Sequence, residues 1–173
     1  MEHVKVPGDV REAELIRLME TYGNMLAGLC TALTRDPDLA QDVVQETFLR
    51  AYKGLDRFRG GRAQERAWLT RIAVNLCRDM NKSKWFRWVD RRVSLDTLPE
   101  PTVPAEERDW ALYDAVQSLP DKLREIVVLR YHQGMDTEDI ARILGMTRTT
   151  VYRRLDQAYR MLKKELEEAD GDV

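Results

Sequence analysis

The side chains best suited to reading a nucleic acid lie between Met135 and Leu162, in MDTEDIARILGMTRTTVYRRLDQAYRML. Arg can hold guanine through two hydrogen bonds, Gln can do so for adenine, and a Thr methyl can touch thymine. Arg148, Thr149, Thr150, Tyr152, Arg153, Arg154 and Gln157 form the candidate duplex-binding set. Within it Thr149, Tyr152 and Arg153 stand where the N-terminal part of a recognition helix reaches base edges. Arg148, Arg154 and also Arg160 suit phosphates, which position a protein without reading sequence.

Two short helices and a turn must present these groups. Asp136 or Thr137 can cap the first helix, with Glu138 and Asp139 where a helix N-terminus favours negative charge. Ile140, Ala141, Ile143 and Leu144 share one face. Gly145 can end the helix in a left-handed conformation. Thr147 can cap the second helix, whose apolar positions are Val151, Leu155, Ala158 and Leu162. With Val151 inward, Thr149, Arg153, Asp156 and Arg160 turn to the opposite side, flanked by Tyr152 and Gln157. The bland alternative is a helical hairpin with a solvated basic face.

A second basic region lies upstream. Arg57 to Gln64, RFRGGRAQ, reads as a glycine-containing loop, followed by a helix over about 65–84. Trp68, Leu69, Ile72, Ala73, Leu76, Cys77 and Met80 form its inner stripe, while Arg71, Asn75, Arg78 and Lys82 repeat along another face. Trp85, Phe86 and Trp88 then stand among five bases in KSKWFRWVDRR. Bases stack on aromatic rings while phosphates meet cations, so this mixture suits unpaired nucleotides. The competing reading puts these aromatics in a core.

Before that loop, Asp9 can cap a helix carrying Leu15, Ile16, Leu18, Met19, Tyr22, Met25, Leu26, Leu29 and Leu33. Asp36-Pro37 marks a turn. The next helix, about 39–55, buries Val43, Val44, Phe48, Ala51, Tyr52 and Leu55 and turns Asp42, Gln45, Glu46 and Leu49 outward. From spacing alone that outward strip is a solvated face. Ser94 to Glu107 holds three of the six prolines and reads as an extended linker. It divides the chain into domains at 9–93 and 108–168. A helix resumes near Arg108, and Leu119-Pro120 starts another in which Leu123, Ile126, Val127 and Tyr131 pack inward.

The fold class is all-α, since helical periodicity recurs throughout and strand signals are weak. Net charge is −2, which hides blocks. Residues 62–92 carry nine Lys/Arg against three acids, and 148–164 carry six bases against Asp156; between them, 94–118 carries six acids against Arg108. Two basic surfaces separated by an acidic segment fit two contacts with one polyanion. Residues 165–173 add five acids as a tail. Cys30 and Cys77 are far apart on apolar stripes and read as reduced core residues rather than a redox pair. His3 and His132 stand alone, so no metal site or other cofactor is expected. No apolar run reaches membrane-spanning length and no signal-peptide core opens the chain, so a cytoplasmic location without membrane insertion is expected.

Three stretches resemble the extracytoplasmic-function sigma factors, the small two-domain branch of the bacterial sigma-70 family. They are DPDLAQDVVQETFLRAY at 36–52, FRGGRAQERAWLTRIAVNLCRDMNKSK at 58–84, and LPDKLREIVVLRYHQGMDTEDIARILGMTRTTVYRRLDQAYRML at 119–162. The resemblance implies that Asp42, Gln45, Glu46 and Leu49 contact the β′ coiled coil of core RNA polymerase, whose β′ and β subunits are the expected partners. It implies −10 DNA contacts at Arg59, Gly61, Arg62, Gln64, Trp68, Arg71, Asn75, Arg78 and Lys82, where a non-template base is extruded and captured. An extruded base needs a pocket that hydrogen-bonds its edge. The last helix pair would read the −35 element of promoter DNA as a duplex. The acidic linker would thread through polymerase in place of single-stranded nucleic acid. Any regulator would be a separate protein, usually an anti-sigma factor clamping both domains. Two departures stand out: the loop here is GGRAQER rather than one with an acid, a Ser and an aromatic, and Thr149, Tyr152 and Arg153 differ from common members. Neither the captured base nor the −35 sequence is therefore implied.

Three other classes compete. A stand-alone helix-turn-helix regulator explains 135–162 but not the Asp42 strip. A nucleic-acid enzyme would need a metal cluster, a phosphate-cradling loop or a nucleophile–base pair, and the sequence shows none. A helical interaction protein would carry basic faces only for solubility.

Overall fold

The computed structural model describes the backbone of residues 8–90 and 110–171, with side chains described over 10–82 and 111–168. All elements among the described residues are helical. They form two compact units, the first from α1 (Gly8–Thr34), α2 (Pro37–Gly54) and α3 (Arg62–Asp90). The second holds α4 (Trp110–Ser118), α5 (Asp121–Val127), α6 (Thr137–Leu144) and α7 (Arg148–Gly171).

In the first unit, α1 stops where Arg35 adopts a left-handed φ of 56°. Asp36 then caps α2: its backbone is extended and its carboxylate accepts from the Leu39 N–H at 3.1 Å. Pro37 follows in the first turn, where its missing N–H leaves no bond unmade. The core joins Leu18, Leu26, Leu29 and Leu33 of α1, Val43, Phe48 and Ala51 of α2, and Leu69, Ala73, Val74 and Leu76 of α3. Each fully buried leucine contributes about 1.5–3 kcal/mol. Cys30 and Cys77 are buried in this core and are not joined in a disulfide.

Of the apolar residues carried by α1, Ile16 and Met19 are 50% and 48% exposed, because the set is too wide for one helix face, while Leu18 is buried. Two expected helix boundaries are corrected. The second helix runs from Pro37 to Gly54, where about 39–55 was expected. The third helix begins at Arg62 and continues to Asp90, where 65–84 was expected. Glu65 therefore lies inside its first turn. Trp85, Phe86 and Trp88 fall on α3, but their side chains lie outside the described residues, as do Arg91 and Arg92, the linker at 94–107 and the N-terminal residues 1–7.

In the second unit, Leu119, Leu123, Val127 and Ala158 make a buried cluster, with Val116 and Leu162 packed against it. Arg124 is also buried; its guanidinium donates to the Leu119 carbonyl at 3.0 Å and pairs with Asp121 at 2.6 Å, tying α5 to the end of α4. Pro120 stands at the cap of α5, one residue before the first-turn position expected. Tyr131, expected inward, is 72% exposed. After α5 the chain widens into a π-helical turn, Val128–His132, closed by the Gln133 N–H on the Val128 carbonyl at 3.0 Å. The extra residue shifts the register, so Leu129 fills the core and Tyr131 rotates to water. The acidic stretch from Glu165 is a continuation of α7, supported by i,i+4 pairs Lys163–Glu167 and Lys164–Glu168. No helix among the described residues is long and apolar enough to cross a membrane.

Candidate nucleic-acid interface

The helix pair of the second unit is built from its caps. Asp136 is the N-cap of α6 and accepts from the backbone N–H groups of Glu138 and Asp139 at 2.9 and 2.8 Å. Gly145 ends the helix at φ 65°, a conformation that costs an L side chain about 1–2 kcal/mol. Thr147 caps α7 by accepting from the Thr150 N–H at 3.2 Å. Val151 and Ala158 are fully buried and fix the helix rotation.

Arg148, Thr149, Tyr152, Arg153 and Gln157 consequently lie exposed on one side. Thr150 is half-buried, its hydroxyl 2.9 Å from that of Thr147, so it belongs to the cap. Arg154 is half-buried, with a guanidinium nitrogen 3.9 Å from the Met146 sulfur. The Tyr152 hydroxyl accepts from Thr137 at 3.2 Å, bridging α6 and α7. That bond, then the neighbouring Arg148, lowers the Tyr152 pKa from its ordinary value. Tyr159 is 66% exposed two turns beyond Tyr152 on the same side. Its i+7 relation to Tyr152 was the available sequence signal.

The first unit presents a loop instead. Phe58 stacks on Trp68 with ring centroids 4.3 Å apart and planes at 16°. Trp68 is half-buried there and acts as a floor. Gly60 lies close against the Phe58 ring: a Cβ added to it would stand 2.5 Å from Phe58 Cζ and 2.8 Å from Gln64 Oε1. Gln64 Oε1 accepts from the Gly61 N–H at 2.8 Å, the reaching-back half of a capping box at the start of α3. Arg59 donates to the Asp56 carbonyl at 2.8 Å. Arg62 is exposed at the tip, and Arg71, Asn75 and Lys82 are exposed along α3 with Arg78 half-buried.

Beneath the loop lie groups that the sequence did not disclose. Glu65 is buried and accepts from Arg17 at 2.6 Å and from the Tyr22 hydroxyl at 3.2 Å. Burial, then the bond to Glu65, raises the Tyr22 pKa. Hydrogen bonds to Glu14 and Glu65 hold the Arg17 guanidinium still more firmly protonated than usual. Partners 48 residues apart leave no local signature. On α2, Asp42, Gln45 and Leu49 are exposed, and Glu46 pairs with Arg50 at 2.9 Å. Among the described residues no group of His, Cys, Asp or Glu could hold a metal ion.

Residues 18–87 match Sigma-70 region 2 and residues 109–162 match Sigma-70 region 4. The chain is 30% identical to the RNA polymerase sigma-H factor of Pseudomonas aeruginosa, over 92% of this chain and 89% of that one. It is 33% identical to the ECF RNA polymerase sigma factor SigL of Mycobacterium tuberculosis, over 91% and 92%. Its fold is similar to that of the sigma factor RpoE of Bartonella quintana, solved with the anti-sigma factor NepR, at a TM-score of 0.76 and 23% identity, over 89% of this chain and 97% of that one. With two family regions in order and relatives matched over nearly their full length, the chain belongs to the extracytoplasmic-function sigma factors of the sigma-70 family.

Proposed function

We propose that this sigma factor joins core RNA polymerase through the α2 strip, reads the −35 element as a duplex with α7, and opens the −10 element with the loop and α3. In this division, residues 9–93 hold polymerase and the −10 element, 94–107 link the domains, and 108–168 bind the −35 element. The protein itself makes and breaks no bond; it lends promoter choice to the polymerase.

One observation carries the reading. The α7 side chains able to bond base edges are exposed together, on a helix whose rotation is fixed by Val151 and Ala158 behind them. A helix presented this way fits a major groove, with its first turns at the base edges. The loop complements it. Arg59, Gly61 and Gln64 already bond within the loop, so their part is to shape a pocket, leaving Arg62, Arg71 and Lys82 for phosphates and Asn75 for a base edge. A stand-alone operator-binding protein would use α7 but leave the α2 strip without a task. A separate anti-sigma factor holding the free protein is the expected regulator; the structurally similar RpoE was solved with one.

The test is transcription in vitro by core polymerase with and without the protein, with 5′ ends sequenced across a fragmented genome. New start sites sharing two spaced elements are expected. Start sites identical with and without the protein would refute the assignment.

A further inference from the structure

Helix α1 carries no group assigned above to DNA or polymerase, yet two of its arginines grip the two ends of the loop. At the beginning of the loop, Arg11 donates to the Tyr52 carbonyl at 2.8 Å, lies 3.3 Å from the Asp56 carboxylate, and places its guanidinium 4.7 Å from the Tyr52 ring centroid. Asp56 is also the residue whose carbonyl holds Arg59. At the far end, Arg17 reaches Glu65 at 2.6 Å and is itself braced by Glu14 through two bonds. Tyr22 closes the other oxygen of Glu65. Residues 57–64 are suspended between these two points.

We propose that α1 is a splint for the promoter-opening loop, with Arg17 and Arg11 as positioning residues that fix its two ends through Glu65 and Asp56. The proposal rests on the reading of Arg59 to Gln64 as the −10 loop. A buried carboxylate is retained only while it is paired. Without Arg17, Glu65 is driven toward water, and the first turn of α3 moves with it. That turn carries Arg62 and Gln64, and Gln64 in turn holds Gly61. The electrostatics agree: Arg62 is close enough to contribute to the lowering of the Glu14 pKa, after the larger effect of Arg17. The two ends are not equal. Arg11 Nε and Asp56 Oδ1 are buried without a hydrogen-bond partner, whereas both Glu65 oxygens are bonded. The Arg17 end is therefore the firmer, and its loss the more costly.

The experiment uses the full chain assembled with core polymerase. Binding of a fluorescent single-stranded −10 oligonucleotide is measured, with a panel in which each base is changed in turn, beside core affinity and −35 duplex binding. Arg17→Ala is expected to weaken −10 binding about tenfold and to relax the preference among bases, at a coupling of ordinary size. Arg11→Ala should do the same by about threefold. Arg17→Lys, which keeps charge but loses the fork, should recover part of the loss. Core affinity and −35 binding should stay within about twofold throughout. If Arg17→Ala does not fold, Glu65→Gln and Arg11→Ala carry the test with the same expected signs. Unchanged −10 binding and base preference in these variants, while Arg59→Ala with Gln64→Ala loses them, would overturn the splint and spare the loop reading. A parallel fall in core affinity would assign the arginines to general stability and overturn it equally. Silence of the Arg59→Ala, Gln64→Ala variant would bring down the loop reading itself, and the splint with it.

Discussion

Under the proposed assignment, the loop of the first unit and α7 of the second would meet DNA with opposite designs. On α7, the groups that would read DNA point outward from a rigid rod, and the packing lies behind them at Val151 and Ala158. In the loop, the candidate groups are turned into one another: Gln64 onto Gly61, Arg59 onto Asp56, Phe58 onto Trp68. A duplex offers its edges in a groove, so projecting side chains suffice. A single extruded base has to be enclosed, so the backbone must hold a shape before the base arrives. The helix should then fail one contact at a time, and the loop should fail as a whole.

The largest effect should silence both at once. Asp42→Arg with Glu46→Arg reverses the α2 strip and should lower core polymerase affinity by more than about a hundredfold, as charge reversal at an interface centre does. Circular dichroism should be unchanged, since both positions lie off the core. Normal holoenzyme assembly by that variant would remove the strip from the account. Next comes Gly60→Ala. The added Cβ meets both the Phe58 ring and the Gln64 amide, so it can be accommodated only by disturbing the Phe58–Trp68 stack or the Gln64–Gly61 bond. Overpacking of this kind costs about 1–3 kcal/mol, seen as lost permanganate reactivity of −10 thymines with −35 binding intact. Opening at the normal rate would show that the ring yields and that the loop is not preformed.

On the helix side, Arg153→Ala should cost about 1–3 kcal/mol at one −35 position and relax the choice of base there. Binding selections with randomised −35 duplexes would show it; loss spread evenly over all positions would make Arg153 a phosphate contact. Gly145→Ala should cost about 1–2 kcal/mol of stability through its left-handed backbone. Denaturant melts would report it, together with weaker −35 binding and unchanged −10 opening.

The same contrast decides what the sequence could disclose. Caps, the left-handed Gly145 and the 3.6-residue spacing of Val151 and Ala158 are local signals, and they placed the start of α7 at Arg148, although the helix runs on to Gly171 through the stretch that reads as an acidic tail. Local signals also marked the turn at Asp36-Pro37, although α2 begins at Pro37 and not near residue 39. They failed where register depends on a turn type that has no residue signature: the π-helical turn moved Tyr131 outward. At the loop, the resemblance implies a −10 contact at Gln64; the structure adds that its amide oxygen accepts from the Gly61 N–H, the pattern of a Gln three residues after a helix cap. The Arg17–Glu65 pair joins residues brought together only by packing of α1 on α3, which spacing along one helix does not express.

The smallest effect concerns acid. The bond from Arg17 lowers the Glu14 pKa below its ordinary value of 4.5. A carboxylate with a lowered folded-state pKa stabilises the protein above its unfolded-state pKa, and that contribution disappears as pH falls through the folded-state value. Glu14→Gln mimics the protonated acid. The gap in unfolding free energy between wild type and Glu14→Gln should therefore be full at pH 6, shrink as pH falls below about 4.5, and close in stronger acid. The gap will be small, since the Glu14 side chain is 40% exposed and water screens the pair. In an Arg17→Ala background it should be nearly absent at every pH, because the bond that shifts Glu14 is gone. A gap of constant size from pH 6 to pH 3 would mean that the brace on Arg17 carries no energy, leaving Glu65 and Tyr22 alone to hold that end of the loop.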